Sequence, residues 1–79
     1  MLEKDFQKQV IDYLKNKNAF IINVEGLERG LPDLVVCHQG KFIGLELKVD
    51  YKIQPHQVLQ LQRIRNAGGL GYELKYCFN

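Results

Sequence analysis

Leu2, Phe6, Val10, Tyr13 and Leu14 recur at the spacing of one helix face, with Lys8, Asp12, Lys15 and Lys17 on the other side. This pattern predicts an amphipathic helix over about residues 2–17. Asn16 and Asn18, which tolerate a left-handed backbone, are its stop residues. Ala19 to Val24 is a short apolar run suited to a buried strand. Glu25 to Leu31 is a polar loop with two glycines and Arg29, and Pro32 biases Leu31 toward extended backbone. Leu34 to Cys37 and Phe42 to Leu45 read as strands joined at Gln39-Gly40, in a hairpin that runs to about Val49. Leu34, Val36, Ile43, Leu45, Leu47 and Val49 share one face of it, and Val35, Cys37 and Phe42 the other. A strand pair apolar on both faces belongs in a sheet interior covered on both sides. After a loop over Asp50–Gln54, Pro55 suits a first helical turn. Val58, Leu61 and Ile64 mark the buried stripe of this second helix, and Gly68-Gly69 ends it. Tyr72, Leu74, Tyr76 and Phe78 alternate with Glu73, Lys75 and Cys77 in a half-exposed last strand. The order is αβββαβ, without linker, repeat or low-complexity tract.

The hairpin register has a chemical consequence. A turn centred on Gln39 and Gly40 sets His38 against Lys41, Cys37 against Phe42, and so on to Asp33 against Glu46. Opposed residues on an antiparallel ladder hold their Cβ atoms about 4.5–5.5 Å apart. Lys48 lies two positions beyond Glu46 and therefore on the same face. Two carboxylates that close repel, and their pKa values separate unless a cation lies between them. A divalent metal with a neighbouring ammonium resolves the conflict most simply.

Composition narrows the class. Seventy-nine residues make one domain, over residues 1–79, and an apolar fraction of 46% argues against disorder. No apolar run approaches the ~20 residues of a membrane span. Lys4, Asp5, Lys8 and Asp12 interrupt any signal-like region, so a soluble cytoplasmic protein is expected. Cys37 and Cys77 fall in predicted strands without the short ligand spacing of a zinc site, and read as buried free thiols. The net charge of +2 is weak evidence for a polyanion partner. It strengthens if Glu3, Asp33 and Glu46 are neutralised by metal.

Taken singly, Asp33 after Pro32 could be turn chemistry, and Glu46 with Lys48 a solvated pair. Jointly this fails, because Glu46 and Lys48 interrupt a strand that is otherwise apolar on both faces. Buried charges without partners cost several kcal/mol, so a site is the simpler reading. Glu3 also suits a first helical turn through the macrodipole alone. His38 and His56 lack metal partners and read as solvated, and Tyr72 and Tyr76 alternate as core residues do.

Glu3 with Phe6-Gln7-Lys8, then Gly30-Leu31-Pro32-Asp33-Leu34, Lys41 to Lys48, and Pro55-His56-Gln57 with Ala67-Gly68-Gly69 cover nearly the whole chain. In this order they resemble the PD-(D/E)XK nuclease superfamily, and within it the small stand-alone VRR-NUC proteins of phages. The resemblance implies a restriction-endonuclease-like α/β fold, with a central mixed sheet flanked by helices. It implies that Asp33, Glu46 and the carbonyl of Leu47 bind Mg²⁺ or Mn²⁺, with Glu3 acting through water. It makes Lys48 the group that holds or deprotonates the attacking water, and Gln57 the group that orients Lys48 or a phosphate. Apart from the resemblance, Arg29 beside Gly30 is a candidate phosphate contact, against the plainer reading of an exposed loop arginine, and Lys52 is a second candidate DNA contact. One departure is Gln54, where the family often has a small hydroxyl residue; glutamine is a poorer N-cap.

The expected function is a metal-dependent endodeoxyribonuclease selective for branched DNA such as four-way junctions, in a bacterial or phage-infected cytoplasm. Alternatives are a nuclease that nicks or trims other DNA structures, or a non-catalytic DNA-binding module of the same fold. A degenerate module would have lost Asp33, Glu46 or Lys48, and all three are present. A twofold homodimer is expected from the small size of the chain and from a last strand that leaves Tyr76 and Phe78 little protected.

Overall fold

In the computed structural model, which describes residues 1–50 and 52–76, the expected order of elements is found. Helix α1 spans Glu3–Asn16, strands β1, β2 and β3 span Phe20–Asn23, Leu34–His38 and Lys41–Val49, helix α2 spans Pro55–Asn66, and strand β4 spans Leu70–Tyr76. The sheet runs β1-β2-β3-β4; the first three strands are antiparallel, and β4 lies parallel to β3 after the α2 crossover. Parallel neighbours need such a crossover, and α2 supplies it. Among the described residues no helix is long and apolar enough to cross a membrane.

The hairpin has the register its turn dictates. His38 pairs with Lys41 and Leu34 with Leu45. Gln39 and Gly40 both take positive φ, 52° and 77°, the backbone twist that a two-residue connection demands. Asn18, at φ 61°, turns the chain out of α1 as expected.

Each helix covers a different part of the sheet. Phe6, Val10, Ile11 and Leu14 of α1 pack on Leu34, Val36, Leu45 and Leu47, which are buried. On the opposite face α2 lies over β3 and β4, where Gly44 and Gly71 are paired. A Cβ on Gly71 would stand 2.7 Å from the Leu61 carbonyl oxygen, and one on Gly44 would stand 2.5 Å from Ile64 Cδ1. Glycine at both positions lets the helix approach the strands closely. Gly71→Ala is expected to destabilise the protein by about 1–3 kcal/mol, because helix backbone must move to admit the methyl group. Urea unfolding checks this, and an unchanged midpoint would contradict the close packing.

This coverage corrects several expectations. β1 is an edge strand, and only Ile21 of its apolar residues packs into the core; Phe20 and Ile22 are exposed. The hairpin is buried on both faces only toward Val49. α2 does not reach the Cys37 end of β2, so Cys37 is an exposed thiol and Phe42 is half exposed. Tyr72 is also half exposed, because α1 lies over β1 and β3 and leaves β4 open on that face. Tyr76, by contrast, packs its ring against Phe6 at 5.8 Å. His38 is not simply solvated: its Nε2 lies 3.0 Å from the Lys17 carbonyl oxygen. His56 is partly buried beside Gly30. Cys77 and Phe78 lie outside the described residues.

Candidate active site

Asp33 immediately precedes β2 and is buried, with Oδ2 accepting the Leu47 backbone N–H at 2.9 Å. It is one step beyond the Leu34–Leu45 pair, level with Glu46. Glu46, only 2% exposed, keeps its carboxylate inside the protein. Its Oε1 accepts Gln57 Nε2 at 3.0 Å and stands 3.5 Å from Lys48 Nζ.

Gln57 has two tasks. Its Oε1 accepts the backbone N–H of Gln54 at 2.9 Å, which closes the start of α2. That bond fixes the carboxamide so that Nε2 must face Glu46. The weak capping power of Gln54 is thus met by the side chain three positions on, as in a capping box.

The electrostatics follow from burial. Burial, and then the nearby Asp33 carboxylate, push Glu46 up to about 7, while Lys48 pulls the other way. Glu25 is also raised, first by burial and then by Asp33 and Glu3. A carboxyl group whose pKa rises on folding binds its proton more tightly when folded, so stability is lost as pH rises from its unfolded value through its folded one. Metal-free protein is therefore expected to melt at a higher temperature at pH 5 than at pH 8, the difference reflecting roughly 3 kcal/mol from Glu46. Thermal melts in chelator test this, and a higher melting temperature at pH 8 would contradict it.

Sequence reasoning missed Glu25. Oxygens of Glu3, Glu25 and Asp33 lie within 4.8 Å of one another. The signal lay in the β1–β2 register: Asn23 pairs with Leu34, and the Val24 N–H donates to the Asp33 carbonyl, so Glu25 comes next to Asp33. Gln7 was missed as a cleft residue too. Its Nε2 is buried and has no acceptor among the described residues, which leaves a donor for a water or a phosphate oxygen. Arg29 and Lys4 also line the cleft, whose volume is about 460 Å³. Lys52 is exposed and is not among the lining residues.

This donor set suits a hard divalent cation. Among the described residues it consists of carboxylate oxygens without sulfur or imidazole, and two of them, Asp33 and Glu46, are buried at a cost that a cation would relieve, while Glu3 and Glu25 are exposed. The acids cluster from four places in the chain. Glu3 comes from α1, Glu25 from the loop after β1, and Asp33 from the entry to β2, with Glu46 beside them on β3.

A four-stranded mixed sheet with a helix on each face, and this acidic cleft at one end of its central strands, defines a restriction-endonuclease-like α/β fold. Among solved structures the chain is similar to a VRR_NUC domain, with a TM-score of 0.79 and 25% identity over 92% of this chain and 83% of that one. It is also similar in fold to Hjc, a Holliday junction resolvase from the archaeal hyperthermophile Archaeoglobus fulgidus, with a TM-score of 0.72 and 18% identity. That alignment covers 92% of this chain and 66% of the resolvase. No protein-family model and no curated protein matches the chain. The resemblance to VRR-NUC proteins read from the sequence holds in the fold.

Proposed function

We propose that the protein is a metal-dependent endodeoxyribonuclease that hydrolyses phosphodiester bonds in branched DNA. The observation that carries this reading is the buried Asp33–Glu46 pair with Lys48 Nζ 3.5 Å from the Glu46 carboxylate. Asp33, Glu46 and the Leu47 carbonyl would hold Mg²⁺ or Mn²⁺, with Glu3 acting through water and Glu25 added to the set. Such an ion, when bound, polarises the scissile phosphate and lowers the pKa of water.

The chain's own groups supply the rest. Lys48, partly buried, holds or deprotonates the attacking water and offsets charge that develops on the phosphate. Gln57 fixes the Glu46 carboxylate through Nε2 and so acts as a positioning residue. Gln7 offers its unpartnered Nε2 to a phosphate oxygen. Arg29 and Lys4 at the cleft, with Lys75 in register beside Lys48 on β4, give the approaching backbone a row of cations. Lys52 would meet DNA farther from the scissile bond.

Selectivity for four-way junctions is supported by the fold shared with a junction resolvase. A twofold homodimer would fit it, since paired clefts match paired strands. Single-turnover cleavage of junction, flap, nicked and linear DNA, with Mg²⁺ and with Mn²⁺, tests both parts. The junction should be cut fastest. Equal rates on junction and linear duplex would defeat the selectivity, and binding without cleavage on every DNA would favour the non-catalytic module.

A further inference from the structure

The loop between β1 and β2 is built as two turns in succession. The Leu27 N–H donates to the Val24 carbonyl at 3.1 Å, and the Leu31 N–H to the Glu28 carbonyl at 3.3 Å. Glycine takes the third place of each turn, Gly26 at φ 76° and Gly30 at φ 87°, the left-handed backbone that a type II turn requires there. The loop is also anchored at both ends. At its base the Val24 N–H donates to the Asp33 carbonyl. At its far end Gly30 lies against α2, where an added Cβ would stand 3.3 Å from Gln60 Cγ.

Leu27 stands midway between these anchors, where the two turns meet. Its neighbours Glu25, Gly26, Glu28, Arg29, Gly30 and Leu31 all line the cleft that holds Asp33 and Glu46. Leu27 does not line it, and is 76% exposed, more than any other large apolar residue among the described ones. A single exposed leucine is ordinary on a surface. This one differs in its setting, a braced loop at the cleft rim that turns every other residue inward. Two residues of chain reach at most about 7 Å. The Leu27 backbone therefore stands within about two base steps of Glu25, whose carboxylate lies within 4.8 Å of that of Asp33. Glu28 beside it repels a phosphate but can accept from a base amino group, so the loop tip suits bases and not backbone.

We infer that Leu27 is a wedge that enters a base step beside the cleft and packs on the face of a base, while Arg29 holds the adjoining phosphate. Leucine is one of the apolar side chains suited to this task. Parting stacked bases is unfavourable, and least so where pairing is already broken. A wedge therefore favours a branch point over continuous duplex. The inference rests on the DNA reading above and assigns its structural selectivity to one residue outside the catalytic machinery.

The test places 2-aminopurine, which brightens when it loses a stacking partner, next to the branch point of a four-way junction. Ca²⁺ serves as the ion, so that binding is read apart from cleavage. Wild type should raise the fluorescence. Leu27→Ser should abolish that rise and bind the junction about tenfold more weakly, with unchanged affinity for linear duplex. Its melting temperature should also be unchanged, since the side chain is exposed. Leu27→Phe should restore both the rise and the affinity. A full rise and full junction affinity in Leu27→Ser would overturn the inference. A change of assembly mass in that variant would assign the leucine to a protein contact and overturn it as well. Junction cleavage by wild type without any rise would leave the chemistry standing and defeat the wedge. A rise that Leu27→Ser loses, in a protein that cuts no DNA with Mg²⁺, would support the wedge and contradict the chemistry. A wild type that binds no DNA would overturn both.

Discussion

Lys48→Ala is expected to slow DNA cleavage at saturating Mg²⁺ by at least about 100-fold, the usual cost of losing a positioned acid–base or charge-stabilising group. Folding and DNA affinity should stay close to wild type, because Lys48 stands at the end of β3 with Nζ facing the cleft and not the core. Lys48→Arg separates its two possible contributions. Arginine keeps the charge but cannot give up a proton near neutral pH. If Lys48 deprotonates water, the arginine variant should be as inactive as the alanine one. If it only stabilises charge, arginine should recover part of the rate. An alanine variant that keeps more than about a tenth of the wild-type single-turnover rate would remove Lys48 from the chemistry.

Glu46→Gln should lose metal binding and at the same time stabilise the metal-free protein. Both effects have one cause. Glu46 is buried beside Asp33, and its ionised form is opposed by burial first and by that neighbour second. Glutamine keeps the shape and an acceptor for Gln57 but carries no charge. At pH 8 the gain should be on the order of 3 kcal/mol, and most of it should vanish by pH 5, where the wild-type carboxyl is protonated in the folded state. Asp33→Asn should behave alike in metal binding with a smaller gain, since its amide oxygen accepts the Leu47 N–H less strongly than the carboxylate does. Calorimetric titration with Mn²⁺ checks the first effect and chelator melts the second. Unchanged Mn²⁺ affinity in either variant would refute the assignment of these carboxylates.

The parts of the site that depend on local rules were legible in the sequence. A two-residue turn at Gln39-Gly40 and the period of two suffice to bring Asp33 level with Glu46 and to put Lys48 on the same face. The parts that depend on non-local pairing were not. Glu25 joins the cleft only through the β1–β2 register, and Lys75 stands beside Lys48 only through the parallel β3–β4 register. Coverage of the sheet was misread for a related reason. An apolar hairpin shows that burial is favourable, but which strands α2 reaches depends on the small surface at Gly44 and Gly71. The residues left bare by that choice, Phe20, Cys37 and Phe42, look like core in the sequence and form a surface in the fold. Gln57 shows the reverse. Its place came from family resemblance, and the structure supplies the reason, a carboxamide pinned at Gln54 and aimed at Glu46.

The most direct test is cleavage of an end-labelled four-way junction by the purified protein at pH 8, with chelator and then with Mg²⁺. Symmetric cuts that appear only with the ion, and are absent in Lys48→Ala, are the predicted result. Cleavage that persists in chelator, or that survives unchanged in Lys48→Ala, would contradict a metal-dependent nuclease centre built on Asp33, Glu46 and Lys48.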